Sequence, residues 1–236
     1  MSKAIKAIFF DAGNTLIFPR VGELAQELTA LGYPATVEDF YAADRSGRAK
    51  LDEFLWPLLR QGEVPRTVDH IYWHEYLRAL MEQVKVPAPK REHVVGQVST
   101  RFRELSFWSH VFPETPGFLD SLRARSYYLG VISNSLGWIE QQLGNVDLAR
   151  HFDTILDSAV VGIEKPHPGI FRLALERAGV RAAEAIFVGD TYATDIGGAQ
   201  LAGLRGVLFD LIGAYPNADC PRISSLKELD QVLEHL

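Results

Sequence analysis

Apolar residues along the chain gather in five short runs rich in β-branched and aromatic residues: Ala4 to Phe10, Tyr127 to Ser133, Thr154 to Leu156, Ala185 to Val188 and Gly206 to Phe209. Turn-forming or small polar residues follow each run, and in most cases a stretch of helical periodicity comes next. The runs are continuous rather than alternating, which suits strands buried on both faces, and the intervening helices suit parallel β-α-β crossovers. The pattern predicts an α/β fold.

Several helix ends are legible. Thr115 with Pro116 starts a helix through Leu119 and Leu122, and Pro168 opens another whose apolar face carries Phe171, Leu175 and Ala178 before Gly179 closes it. Ser225 and Glu228 stand at capping-box spacing, which predicts a last helix over Leu226 to Leu236. Between the first and second runs lie about a hundred residues with no strand signal. Helical periodicity covers Gly22 to Leu31, Thr36 to Leu59, Val68 to Val84 and Glu92 to Phe107, with breaks at Gly32, Gly62 to Pro65 and Pro87 to Pro89. Such a length exceeds a single crossover and predicts an inserted helical bundle.

Composition narrows the function classes. The 236 residues are 47% apolar and 23% charged, with a net charge of −6, values of a folded, soluble chain. No Lys or Arg run offers the clustered positive charge that tracks nucleic-acid phosphates. The longest stretch free of Asp, Glu, Lys, Arg and His, Ser126 to Ile139, has 14 residues and cannot span a membrane. At the N-terminus the apolar run after Lys3 and Lys6 meets Asp11 too soon for a signal-peptide core, and the lone Cys220 forms no intrachain disulfide. A cytoplasmic location is expected.

Polar residues fall where the strands end. Asp11 follows Ile8-Phe9-Phe10, Ser133 and Asn134 follow Val131-Ile132, and Asp190 follows Phe187-Val188-Gly189. In an open parallel sheet the C-terminal edge is where ligands bind, so three strands aim carboxylates and a hydroxyl at one crevice, with Lys165 placed to join them from a loop. This set suits phosphoryl transfer. Asp11 and Asp190 can hold a hard divalent cation such as Mg²⁺ through oxygen, Lys165 and Ser133 can meet phosphoryl oxygens, and a carboxylate in line with phosphorus can form an aspartyl-phosphate.

These residues stand in four ordered motifs: Phe10-Asp11-Ala12-Gly13-Asn14-Thr15-Leu16, Val131-Ile132-Ser133-Asn134, Lys165-Pro166-His167-Pro168, and Gly189-Asp190-Thr191 with Asp195 five residues after Asp190. In them the sequence resembles the haloacid dehalogenase-like hydrolase superfamily, subfamily I, most of whose members are phosphatases. The resemblance implies a Rossmann-like parallel sheet core over residues 1–17 and 110–236 and an all-helical C1-type cap over 18–109, hinged near Leu16 to Arg20 and Phe112 to Pro116. It makes Asp11 the nucleophile and a magnesium ligand, Ser133 a phosphate donor with Asn134 beside it, and Lys165 the neutraliser of charge. Asp190 and Asp195 become metal ligands, together with the carbonyl of Gly13. A Mg²⁺-dependent phosphatase acting on a small phosphorylated metabolite is the function implied.

Gly13 departs from the pattern, because family phosphatases carry a second Asp there as general acid and base, a group contributing about 10²–10⁴-fold. Two rival readings follow from it: a non-catalytic descendant binding a phosphorylated ligand or a protein, and a metal-independent 2-haloacid dehalogenase. A phosphonate-cleaving branch would need a cap lysine, for which Lys50, Lys85 and Lys90 are available. Elsewhere the plainer readings are preferred. His70 and His74 form a solvated helix face; Trp56, Tyr72, Trp73 and Tyr76 pack the bundle; Arg20, Arg45 and Arg48 are helix-surface charges; Cys220 is an inert loop thiol.

Overall fold

The computed structural model of the chain describes residues 5–65 and 69–235. The predicted element ends Ala4, Val68 and Leu236 lie outside the described residues, as does Lys3.

Each apolar run forms a strand. They are β1 (Ala7–Phe10), β4 (Tyr128–Ser133), β5 (Thr154–Asp157), β6 (Ala185–Gly189) and β7 (Arg205–Phe209), joined at the edge by the two-residue β8 (Arg222–Ile223). All pair in parallel in the order β5-β4-β1-β6-β7-β8. Alternation along β1 divides the core. Ile8 and Phe10 face one apolar cluster with α5 (Thr115–Ala124), α6 (Ile139–Asn145) and α10 (Leu229–Glu234), while Ala7 and Phe9 face another with α8 (Pro168–Ala178) and α9 (Gly198–Leu201). Both faces are covered, which is why the strands read as unbroken apolar runs. The connection from β1 leads toward β4 and that from β6 toward β7, so these neighbouring strands flank a topological switch point, where such sheets bind ligands.

Four helices fill the insertion: α1 (Val21–Ala30), α2 (Val37–Arg60), α3 (Asp69–Gln83) and α4 (Ala88–Phe102). Their shared core includes Leu28, Phe40, Leu80 and Val98. A capping box between Thr36 and Asp39 sets the start of α2. The chain enters through β2 (Phe18–Pro19) and returns through β3 (Trp108–His110), and these two segments pair antiparallel. The return crossing thus precedes the expected Phe112 to Pro116. With so few residues, β2, β3 and β8 show no periodicity in the sequence.

Two helices differ from expectation at their ends. The fourth insertion helix begins at Ala88 rather than Glu92, because Pro89 sits in the first turn, where its missing N–H is not needed. It ends at Phe102, and Phe107 belongs to a separate 3₁₀ turn over Leu105–Phe107. The last helix opens with the 3₁₀ turn Leu226–Glu228, and Ser225 makes no side-chain cap. The tighter turn brings Glu228 to Ser224 instead, accepting from its backbone N at 3.1 Å and its Oγ at 2.8 Å.

The long helix α2 belongs to both halves. Its Leu51, Leu55 and Leu59 form a cluster with core Ala193, and Trp56 meets Tyr192 edge to face at 4.9 Å between centroids. Among the described residues no helix is long and apolar enough to cross a membrane. The face of the sheet under α8 offers a stability test. Phe171 is fully buried and meets Phe187 edge to face at 5.1 Å. Phe171→Ala is expected to cost about 3–5 kcal/mol, read as a lower midpoint in urea unfolding with the slope unchanged.

Candidate active site

Strand register brings the sequence-selected residues together. Asp11 extends β1, its N–H donating to the Val188 carbonyl of β6 at 2.8 Å. Ser133 ends β4, and Asp190 directly follows β6. Asp195 lies in a π-helical turn, Tyr192–Gly197, and its Oδ2 accepts from the Thr191 N–H and Oγ1, both at 2.9 Å. That carboxylate passes over Gly189, where an added Cβ would lie 2.6 Å from Asp195 Oδ2, so the strand end must be glycine for the turn to close. Lys165 reaches in from the loop before α8, and its Nζ donates to Asp11 Oδ1 at 2.6 Å and Asp195 Oδ1 at 2.7 Å. Asn134 fixes this loop through both amide groups, accepting from the Lys165 N–H at 2.8 Å and donating to its carbonyl at 3.0 Å.

The three aspartates are buried, and each offers an oxygen within 4.8 Å of the others. An all-oxygen, anionic donor set of this size fits a hard divalent cation. Electrostatics agree. Burial pushes Asp11 up to about 6 against the pull of Lys165, and pushes Asp190 up to about 8 against that of Arg48. Burial alone would lower Lys165, but Asp11 and Asp195 outweigh it and hold the ammonium above its usual range. His70 and His74 lie exposed on α3, apart from this cluster.

Arg48 corrects the sequence reading. Rather than a surface charge it is 3% exposed, lies on α2 and reaches the core. Its Nη2 meets Asp190 Oδ2 at 2.5 Å and its Nη1 donates to the Asp190 carbonyl. Asp44, one turn earlier, accepts from Arg48 Nε at 2.7 Å and from Tyr72 OH at 2.9 Å. The signal was present as Asp and Arg at i, i+4, a spacing equally common on solvated helix faces. Arg20 and Arg45 do stay near the surface, bonded to Glu23 and Glu38 respectively.

A cavity of about 270 Å³ opens above Asp11 between the sheet edge and the inserted helices. Its walls include Ser133, Asn134, Lys165, Asp190 and Asp195, and also Tyr72, Trp73 and Tyr76, which therefore both pack the bundle and face the site. Trp56 packs on the core instead. Lys50, Lys85 and Lys90 are exposed, so Lys165 is the one lysine lining the cavity among the described residues. Asp69 also lines it, pushed up to about 6 by burial and then by Glu164. Burial likewise raises the Cys220 thiol to about 11, in keeping with an unreactive loop cysteine.

A parallel, doubly covered sheet with acidic residues and a lysine at one strand-end crevice, roofed by helices inserted after the first strand, defines a Rossmann-like hydrolase fold with a helical cap. The chain belongs to the haloacid dehalogenase-like hydrolase family, whose family model matches residues 5–203. It is 33% identical to the phosphoserine phosphatase of Thermus thermophilus, over 87% of this chain and 89% of that protein. It is 30% identical to the glyceraldehyde 3-phosphate phosphatase of Methanopyrus kandleri, over 85% and 82%. Among solved structures it resembles a 2-haloacid dehalogenase from Pseudomonas syringae, 28% identical with a TM-score of 0.57 over 98% of this chain and 99% of that one. The chain is an enzyme of the hydrolase class.

Asp52 supplies a pH test of the contact between α2 and the fold beneath it. Its Oδ1 accepts from the Ala193 N–H at 3.0 Å, and burial lifts its carboxyl to about 7. A folded-state value above that of an exposed carboxylate means that the protonated form favours folding, fully below about pH 4 and less as pH rises through 7. Asp52→Asn keeps an acceptor and removes the charge. Its stability relative to wild type is expected to rise between about pH 5 and pH 8, by at most about 2.7 kcal/mol, in thermal melts at both pH values.

Proposed function

We propose that the chain is a cytoplasmic, Mg²⁺-dependent phosphatase that acts on a small phosphorylated metabolite through an aspartyl-phosphate on Asp11. In this reading residues 18–109 form the cap and 1–17 with 110–236 the core. The observation that carries it is Lys165 Nζ set between Asp11 and Asp195 at 2.6 and 2.7 Å, with Asp190 completing an all-oxygen cluster. Relatives named as phosphatases support the choice of phosphorus as the centre attacked.

Asp11 supplies the attacking carboxylate, and Lys165 holds it ionised and oriented while meeting the charge that builds on the phosphoryl oxygens. The Ser133 hydroxyl, at the adjoining strand end, donates to one of those oxygens. Asn134 keeps Lys165 in register through its two backbone bonds. Asp11, Asp190, Asp195 and the Gly13 carbonyl would hold the cation. When bound, Mg²⁺ supplies positive charge against the clustered carboxylates and the phosphoryl group. The inserted helices roof the site and limit water.

A second reading, metal-independent dehalogenation with Asp11 attacking carbon, draws on Gly13 and on the likeness to a 2-haloacid dehalogenase. The pairing of Asp190 with Asp195 weighs for the phosphatase. A phosphate-ester screen with Mg²⁺ and with EDTA separates the two: phosphate release only with Mg²⁺ is expected, whereas chloride release from 2-chloro acids in EDTA would replace this reading. Asp190→Asn should weaken Mg²⁺ in calorimetric titration by more than about tenfold, the loss seen when even a ligand's partner is disturbed. Asp11→Asn should abolish both turnover and the beryllium fluoride adduct seen by mass spectrometry in wild type.

A further inference from the structure

Two residues beyond Asp11 the chain carries Gly13, and Trp108 crowds the space its side chain would enter. An added Cβ would lie 3.2 Å from Trp108 Cζ3 and 3.7 Å from Cη2. Gly13 is outside the left-handed region, so the obstacle is the indole and not the backbone. Trp108 is itself held. Its Nε1 donates to the Phe102 carbonyl at 2.9 Å, its backbone pairs with Pro19, and its ring stands 6.1 Å from that of Phe102. The polar edge of the indole is thus used up and its carbon edge faces Gly13. Beside Gly13 the cavity wall is therefore hydrocarbon.

The same wall continues upward. Phe102 meets Trp73 at 5.0 Å and Tyr76 at 5.5 Å, and all of these rings line the cavity with Phe18. The lysine and arginine among the lining residues, Lys165 and Arg48, are each already paired with two carboxylates. Asp44 and Asp69 add further negative charge to the lining. A second phosphate or carboxylate on a substrate therefore meets no unmatched lysine or arginine among the described residues of the cavity, whereas a flat apolar ring meets aromatic faces and edges at packing distance.

We propose that the substrate is a phosphate ester with an apolar, aromatic and weakly basic leaving group, an aryl phosphate rather than an alkyl or sugar phosphate. This rests on the phosphatase reading above. An Asp11 oxygen bonds to phosphorus, the bond from phosphorus to the ring oxygen breaks, and its electron pair leaves as an aryloxide that takes a proton from water. The hydroxide equivalent then attacks phosphorus, the bond to Asp11 breaks, and carboxylate and inorganic phosphate are restored, one water having been consumed. An aryloxide departs with little help, while an alkoxide forgoes the about 10²–10⁴-fold that a positioned acid gives.

The test is a leaving-group series on the Mg²⁺-loaded wild-type enzyme: p-nitrophenyl, phenyl and n-propyl phosphate. The ratio kcat/KM should fall at least about 10²-fold from the first to the last. Gly13→Asp combined with Trp108→Ala should recover n-propyl phosphate more than Gly13→Asp alone, since the indole stands 3.2 Å from where a Cβ at residue 13 would lie. Equal turnover across the wild-type series overturns the proposal, and a steep fall appearing only in Asp69→Asn would overturn it by placing a proton donor at Asp69. No release of phosphate from any of the esters or from acetyl phosphate would overturn the phosphatase reading itself, a result separate from a flat series.

Discussion

The site is organised around an excess of buried negative charge at the switch point of the sheet. Asp11, Asp44, Asp190 and Asp195 are all within a tenth of full burial, and among the described residues Lys165 and Arg48 are the cations paired with them. Buried carboxylates that are not balanced either take up protons or attract a cation. Burial raises Asp11 and Asp190, and their negative neighbours add to the rise. The close set of three carboxylate oxygens is the means of accepting more positive charge. Every other feature of the site serves to keep that imbalance in place: Gly189 lets Asp195 approach, Asn134 fixes the backbone of Lys165, and α2 carries Arg48 down to Asp190.

Much of this was legible in the chain. Continuous apolar runs placed the five main strands because both faces of the sheet are covered, and Asp11, Ser133 and Asp190 at the ends of three of them fell at the C-terminal edge by the same register. The helical insertion was visible through its length and periodicity. Other features left too little trace. Strands of two or three residues, such as β2, β3 and β8, have no period to detect. The boundaries of α4 turned on whether Pro89 ends a helix or begins one, and local sequence permits both.

Arg48 and Trp108 were illegible for a different reason. Each acts across more than fifty positions of sequence on a residue of the core: Arg48 on Asp190, and Trp108 on Gly13. Within its own segment Arg48 reads as a helix-surface charge, and nothing singles out Trp108. Their roles come from the inserted helices and linkers folding back over the motifs, so that residues outside the motifs decide what the motif residues can do. Gly13 shows this well, since the indole of Trp108 stands against the position its side chain would take.

The placement of α2 also bears on how the molecule holds together. The two chain crossings of the insertion lie side by side as β2 and β3, which by themselves would tether it at one point and leave it free to behave as an independent unit. The second half of α2 removes that independence, because Leu51, Leu55 and Leu59 are buried against Ala193 and Trp56 against Tyr192. With 24 residues at about 1.5 Å each, the helix runs through both apolar clusters and contributes side chains to each. Melting of the inserted bundle would therefore expose apolar surface on the core as well, around Ala193 and Tyr192.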